Sequence, residues 1–304
     1  MELLISILTA TVQSGTPVLY ATLGEMFTER SGVLNLGVEG LMITGAFIAF
    51  IVVHSTGDPW LAALAAGAGA ALLASVHGLV CLVFRGNQVV SGLALTIFGL
   101  GFADYLGTPY LGVTTEGFRP FSVPLLGDIP IIGPVFFQHD ALVNLSYFVA
   151  PALWLILGKT SLGLNLRATG ENAATAISSG INAVAMRWIG ILVGGFLVGL
   201  GGAYLSLAYT HLWTHNMTAG RGWIAVALVI FAFWRPGRAV FGAYLFGGVM
   251  ALQLRLQAMG TTIPSSLMLM LPYALTLVAL VWATARGKGR NAPAGLGANI
   301  PPRE

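Results

Sequence analysis

Hydrophobic residues run along this chain in long blocks separated by brief polar breaks. Nine blocks can be delimited, at 3–24, 33–54, 60–84, 89–107, 141–158, 183–210, 223–234, 239–257 and 266–284. A helix needs about 20 mainly apolar residues to cross a bilayer, and a helix satisfies its own backbone hydrogen bonds in lipid. The pattern therefore predicts an all-α, polytopic transmembrane bundle of about nine spans, with eight to ten as the range. The block 223–234 is short and reaches crossing length only if 219–222 also lies in the membrane. Proline-rich 113–137 reads as an external loop with room for a re-entrant piece.

Composition leaves little room for a soluble alternative. Of 304 residues, 56% are hydrophobic and 8% charged, with 11 acids, 14 bases and a mean hydropathy of +0.84. A soluble chain of this length needs a charged exterior. The first block lacks a basic leader, carries Glu2 and is too long for a signal core, so it is expected to remain as a span. Lys and Arg placement sets orientation. With nine spans and an inner C-terminus, eleven of the fourteen bases fall on the cytoplasmic side, and only Arg119, Arg221 and Arg255 fall outside. The positive balance thus reports topology, and no basic soluble patch points to nucleic acid.

Three features of 33–107 recur in 220–284. Gly37-Val38-Glu39-Gly40 and Gly220-Arg221-Gly222 each set a charge between glycines at the head of a block. A Gly/Ala-rich block follows, 60–79 against 239–256. A polar turn then enters another block, Asn87-Gln88-Val89-Val90-Ser91 against Thr262-Ile263-Pro264-Ser265-Ser266. Offsets of 182, 179 and about 175 residues keep the copies in step. Five spans separate their first helices, so the reading is an inverted repeat of spans 2–4 and 7–9. Such repeats are a transporter device, with the translocation site at the interrupted segments.

The substrate pathway is accordingly expected at Asn35, Gly37, Glu39, Gly40, Gly220 and Gly222. Asn35 and Glu39, four apart, would share one helix face. An acid at this depth costs about 3 kcal/mol and should face the bundle interior. The competing reading is an interfacial turn in which Glu39 caps the second span. A second candidate is 159–182, the longest polar stretch on the predicted inner side. Within it, 170–181 reads as a short helix with Glu171 at its positive start and Gly180 at its stop. Its form suits a docking element, and an ordinary loop helix is the alternative. Gly190, Gly194, Gly195, Gly199, Gly201 and Gly202 on one span are close-packing signatures. Asp104 lines a vestibule or sits at the interface.

Several chemistries are set aside. Gly158-Lys159-Thr160 imitates the end of a phosphate-binding loop, but Leu153 stands where the pattern requires glycine. Cys81 is the lone cysteine, which excludes a disulfide framework or thiolate cluster. His211 and His215, four apart, could hold a metal on a helix, but they sit at a span end before a Gly-rich break, and no metal is assigned. No nucleophile–base set marks an enzyme.

The run Glu29-Arg30-Ser31-Gly32-Val33-Leu34-Asn35-Leu36-Gly37-Val38-Glu39-Gly40-Leu41-Met42 closely resembles the permease subunits of ABC importers in the branched-chain amino acid and ribose superfamily. It looks most like the branch serving nucleosides, related ribosyl compounds and simple sugars. Leu164-Asn165-Leu166-Arg167-Ala168-Thr169-Gly170-Glu171-Asn172 with the following Ala173–Ile181 stretch resembles the segment that fits the ATPase. Gly220-Arg221-Gly222-Trp223-Ile224-Ala225-Val226-Ala227 resembles a third recurrent block. The family's usual proline after Asn172 is Ala173 here, which loosens the local turn.

The resemblance implies a permease domain over 1–285, with a cytoplasmic coupling loop at 159–182 and a disordered cytoplasmic tail at 286–304. The implied ATPase contacts are Arg167, Gly170, Glu171, Asn172, Ala173, Ala174 and Gly180. It also implies a cytoplasmic ATP-binding subunit, a second permease subunit that is a different chain, and an extracytoplasmic substrate-binding protein. ATP and magnesium would sit on the partner, with no cofactor in this chain. The expected location is the bacterial cytoplasmic membrane, with the N-terminus outside. An ion-coupled secondary transporter is the rival; it would need a deep acid, for which Glu39 is the candidate.

Overall fold

The computed structural model describes residues 2–260, 264, 267–268, 270–285 and 292–300. Among them the chain forms α1 (Glu2–Arg30), α2 (Val38–Thr56), α3 (Pro59–Gly78), α4 (Gln88–Gly107), α5 (Ala141–Lys159), α6 (Ser161–Glu171), α7 (Ala173–Ser178), α8 (Ala183–Tyr204), α9 (Arg221–Phe231), α10 (Pro236–Ala258) and α11 (Leu271–Ala285). Wide π-type turns extend α3 through Val83 and α8 through Tyr209. The segment between α4 and α5 carries a two-residue antiparallel pair, Phe121–Ser122 with Gln138–His139, and a helical turn at Gly133–Phe137 that lies against α1.

The bundle exposes large apolar side chains on its outside while burying charged and polar ones within a mainly apolar core. Leu72, Ile97, Phe148 and Val281 are each about 70% exposed, whereas Glu25, Glu29, Asn35, Glu39, His77 and Arg187 are all 3% exposed or less. A water-soluble protein rarely exposes so many large apolar side chains while burying charged ones, and lipid as the outer solvent explains the pattern. The protein is a polytopic helical membrane protein.

Among the described residues, seven helices are long and apolar enough to cross a bilayer. The other two apolar blocks are shorter. α9 has 11 residues, which rise only about 16 Å and cannot cross a 30 Å core. It begins part-way through the bundle, at the Glu39 contact described below. The helix of the ninth block, α11, has 15 residues.

α1 and α8 form the centre. α1 packs on α8, α9 and α10, and α8 packs also on α2 and α3. The α8 glycines make this approach possible: Gly190, Gly194 and Gly201 face α1 or the turn after it, Gly195 and Gly199 face α3, and Gly202 faces α2. The packing role expected of them is the one they fill.

Candidate translocation and coupling sites

The first block differs from its sequence reading. α1 does not stop near Gly24 but runs unbroken to Arg30, and α2 starts at Val38 and not at Val33. Buried partners account for the long α1: Glu29 Oε2 accepts the Trp234 indole N–H at 2.5 Å, and Glu25 Oε1 accepts the Asn35 backbone N–H at 3.0 Å. Residues 33–37 are thus irregular backbone buried inside a bundle. In lipid such a segment is tolerated only when protein satisfies it.

Two neighbouring helices, α3 and α4, do so. Gln88 Oε1 accepts the Leu34 N–H at 2.8 Å, His77 Nε2 lies 3.1 Å from Leu34 O, and the Thr96 hydroxyl donates to Leu36 O at 2.8 Å. His77 Nδ1 is 3.0 Å from Ser91 Oγ, so both ring nitrogens are engaged. Asn35 belongs to this break. Its Oδ1 accepts the Gly37 N–H at 2.8 Å, and it shares no helix face with Glu39. Sequence reasoning missed Glu25, His77, Gln88 and Thr96. The available signal was a polar side chain inside an apolar block, as with His77 in an Ala-rich span.

Glu39 sits in the first turn of α2 and joins the two halves. Its Oε1 accepts the Thr218 hydroxyl at 2.5 Å and the Gly220 N–H at 2.9 Å, and its Oε2 accepts the Gly222 N–H at 2.6 Å. These amides at the head of α9 have no acceptor within their own helix, and a carboxylate is favoured there. A Cβ at Gly222 would lie 2.5 Å from Glu39 Cα, so only glycine allows the contact. The heads of the two Gly-flanked blocks therefore meet, and α2 packs on α3 and α4 much as α9 packs on α10 and α11. Gly37 and Gly40 pack on α4, and Gly222 is buried with Glu39.

Gly220 borders a cavity of about 480 Å³ between α9, α10 and α11. Asn216, Arg221, Gln253 and Tyr273 bring polar groups to it. Arg221 is held by Met217 O at 3.1 Å and Thr218 O at 3.2 Å, and among the described residues its buried Nε has no partner. The Tyr273 hydroxyl donates to Ala219 O at 2.9 Å.

At the end where α1 finishes, α6 and α7 form the polar segment. The expected single helix over 170–180 is split. Glu171 is the last residue of α6, not a helix start, and extended Asn172 caps α7 by accepting the Thr175 N–H at 3.0 Å. Gly180, at φ 82°, ends the turn. α7 turns Ala173 and Ala176 inward and leaves Ala174, Ile177 and Ser178 exposed. Gly170 packs so closely on the Arg30 carbonyl and Gly32 that a side chain would collide there. Arg167 is half-buried on α6.

The tail also departs from expectation. Residues 286–291 and 301–304 lie outside the described residues, but 292–300 follows a bonded path and is not a free tail. Gly295 N–H donates to Gly170 O at 2.9 Å, Gly297 N–H to Gly32 O at 3.2 Å, and Ala294 N–H to Glu171 Oε2 at 3.1 Å. Buried Arg187 donates to Ala298 O at 2.7 Å, and Asn299 donates to Arg85 O at 2.7 Å. The segment straps α6 to the ends of α1 and α8.

His211 and His215 do not form a helical pair. His215 Nδ1 lies 3.0 Å from Asp104 Oδ1, and His211 Nε2 lies 3.3 Å from Phe118 O.

Residues 6–280 match the family described as branched-chain amino acid transport system / permease component. The chain belongs to this family. It is 42% identical over 263 residues to the putative glucose ABC transporter permease protein TsgC13 of Haloferax volcanii, covering 85% of this chain and 80% of the relative. It is 36% identical over 294 residues to the guanosine ABC transporter permease protein NupQ of Bacillus subtilis, covering 92% of each. It is also 36% identical over 286 residues to the nucleoside ABC transporter permease protein NupC of Lactococcus lactis, covering 87% and 88%. The chain is a multi-pass permease subunit of an ABC importer, a transport component and not an enzyme. An ion-coupled secondary transporter is excluded by this membership, and Glu39, fully engaged by α9 donors, is not a free coupling acid. Membership implies ATPase and substrate-binding partners in general.

Proposed function

We propose that the chain forms half of a translocation path for a nucleoside, related ribosyl compound or simple sugar. The observation that carries this reading is the cavity beside Gly220. It is of the size of small-molecule sites, and its Asn216, Arg221, Gln253 and Tyr273 groups suit a solute rich in hydroxyls and ring nitrogens. The glucose, guanosine and nucleoside permeases it resembles support the same class. Leu254 and Tyr273 on the cavity wall are about half exposed, which leaves one side open for a second permease subunit of different sequence. Asn35, Gly37, Glu39 and Gly40 then serve as the rigid wall behind the path, with Gly220 and Gly222 at its edge.

Energy would enter through α6–α7. Arg167, Gly170, Glu171, Asn172, Ala173, Ala174 and Gly180 build the small, exposed element on which a cytoplasmic ATP-binding subunit docks, with ATP and magnesium on that subunit. An extracytoplasmic binding protein delivers solute at the opposite end. The Lys/Arg asymmetry supports a bacterial cytoplasmic membrane location with the N-terminus outside.

Uptake by the assembled importer tests the path. Gln253→Leu and Asn216→Leu should each lower uptake about fivefold, one neutral hydrogen bond's worth, with ATPase association intact. Normal uptake by both would move the path elsewhere.

A further inference from the structure

A second cavity, of about 450 Å³, lies at the α6–α7 end of the bundle and is separate from the transport path. Arg30, Arg167, Arg235 and Arg238 line it. Among the described residues none of these guanidinium groups lies within 4.0 Å of a carboxylate. The two nearby acids are turned to other donors, Glu29 to the Trp234 indole and Glu171 to the Ala294 N–H. Arg30 spends Nε and Nη2 on Trp234 O, at 3.2 and 2.9 Å, and Arg238 stacks its guanidinium 5.1 Å from the Phe233 ring centroid. α10 adds its N-terminus at Pro236 and Gly237, with no side-chain cap. Four cations and a positive helix end around one cavity favour a bound anion.

The other wall says which kind. Trp154 and Leu157 of α5 close the cavity, and Trp154 is about half exposed. From Trp154 the outer face of α5 continues over exposed Leu155 to Phe148. An apolar track thus leads straight from the basic cavity onto the lipid-facing side of the bundle. Tryptophan at this depth is an interfacial residue, and basic pockets between membrane helices suit anionic head groups. We infer that this cavity binds the phosphodiester head group of an anionic phospholipid, whose acyl chains lie along α5. Trp234 sits between the cavity and Glu29, and Arg167 lies on the segment next to α7, so an occupied cavity would brace α6 against the ends of α1 and α10.

The test is native mass spectrometry of the delipidated permease with its ATPase partner. Phosphatidylglycerol, phosphatidylcholine with the same chains, and inorganic phosphate are titrated separately. Phosphatidylglycerol should bind more tightly than phosphatidylcholine, and Arg235→Gln/Arg238→Gln should weaken it about thirtyfold, the attraction of two cations near a head group. Arg119→Gln, on the external loop, should change nothing. Equal affinity for the two lipids, or wild-type phosphatidylglycerol binding by the double variant, would overturn the inference. Tight binding of inorganic phosphate with no added gain from lipid would assign the cavity to a soluble anion and overturn it as well. The comparison of the two lipids on wild-type protein needs no variant, so it decides the matter even if the double variant fails to assemble.

Discussion

Glu39 and Gly222, 183 residues apart, meet head to head: the carboxylate of one helix start accepts the amide of the other at 2.6 Å. With the Gly220 amide and the Thr218 hydroxyl, three donors converge on one buried acid. The charge is stabilised by fixed donors and a helix N-terminus, which offsets the cost of holding an acid at this depth. The contact joins the two Gly-flanked blocks into one rigid centre.

Changing that acid should show first in stability. Glu39→Gln keeps the shape but turns an N–H₂ toward donors, and should cost about 1–3 kcal/mol. Glu39→Leu leaves all three donors unpaired and should cost more. Thermal unfolding of the purified protein measures both. An unchanged midpoint for the pair would mean the Glu39 contact holds nothing together.

Docking of the ATPase is expected on the outer face of α7. Ala174 is exposed there while Ala176 is buried. Ala174→Trp should therefore reduce copurification of the ATPase and reduce uptake without lowering the melting temperature. Full ATPase recovery and normal uptake would make α7 a plain loop helix.

The C-terminal strap should matter to the same surface. Removing 292–304 strips Arg187 of its Ala298 acceptor and Glu171 of its Ala294 donor. A buried guanidinium losing its partner costs about 1.5–3 kcal/mol. Truncated protein should melt earlier, and protease should cut α6–α7 faster. Identical digestion of the full and truncated chains would show that the strap bears no load.

Orientation can be read by labelling. In a Cys81→Ser background, Glu116→Cys should react with an impermeant maleimide added outside, and Ser178→Cys only after permeabilisation. The reverse pattern would invert the topology.

The sequence by itself determined the class of protein and the approximate position of every apolar helix. Block length against bilayer thickness is a local property, readable without any partner. It also located the Gly-flanked blocks, the packing glycines of α8 and the polar α6–α7 segment, because glycine and charge are conspicuous against an apolar background. Tertiary structure decided where the helices begin and end and what the polar residues do. α1 continues past Glu25 and Glu29 because Asn35 and Trp234 wait for them. Asn35 leaves the helix because Gln88, His77 and Thr96, from distant spans, satisfy the broken backbone around it. Glu171 closes α6 and binds the tail, since a residue with a short polar side chain, Asn172, is the better cap for α7. Glu39 could be read from sequence as lining a path or as capping α2, and its tie to the head of α9 is a contact that only the folded chain shows. Apart from the local Asn172 cap and the Glu25–Asn35 bond, these outcomes depend on which donor meets which acceptor between spans distant in sequence, and hydropathy along a single chain carries no record of that pairing.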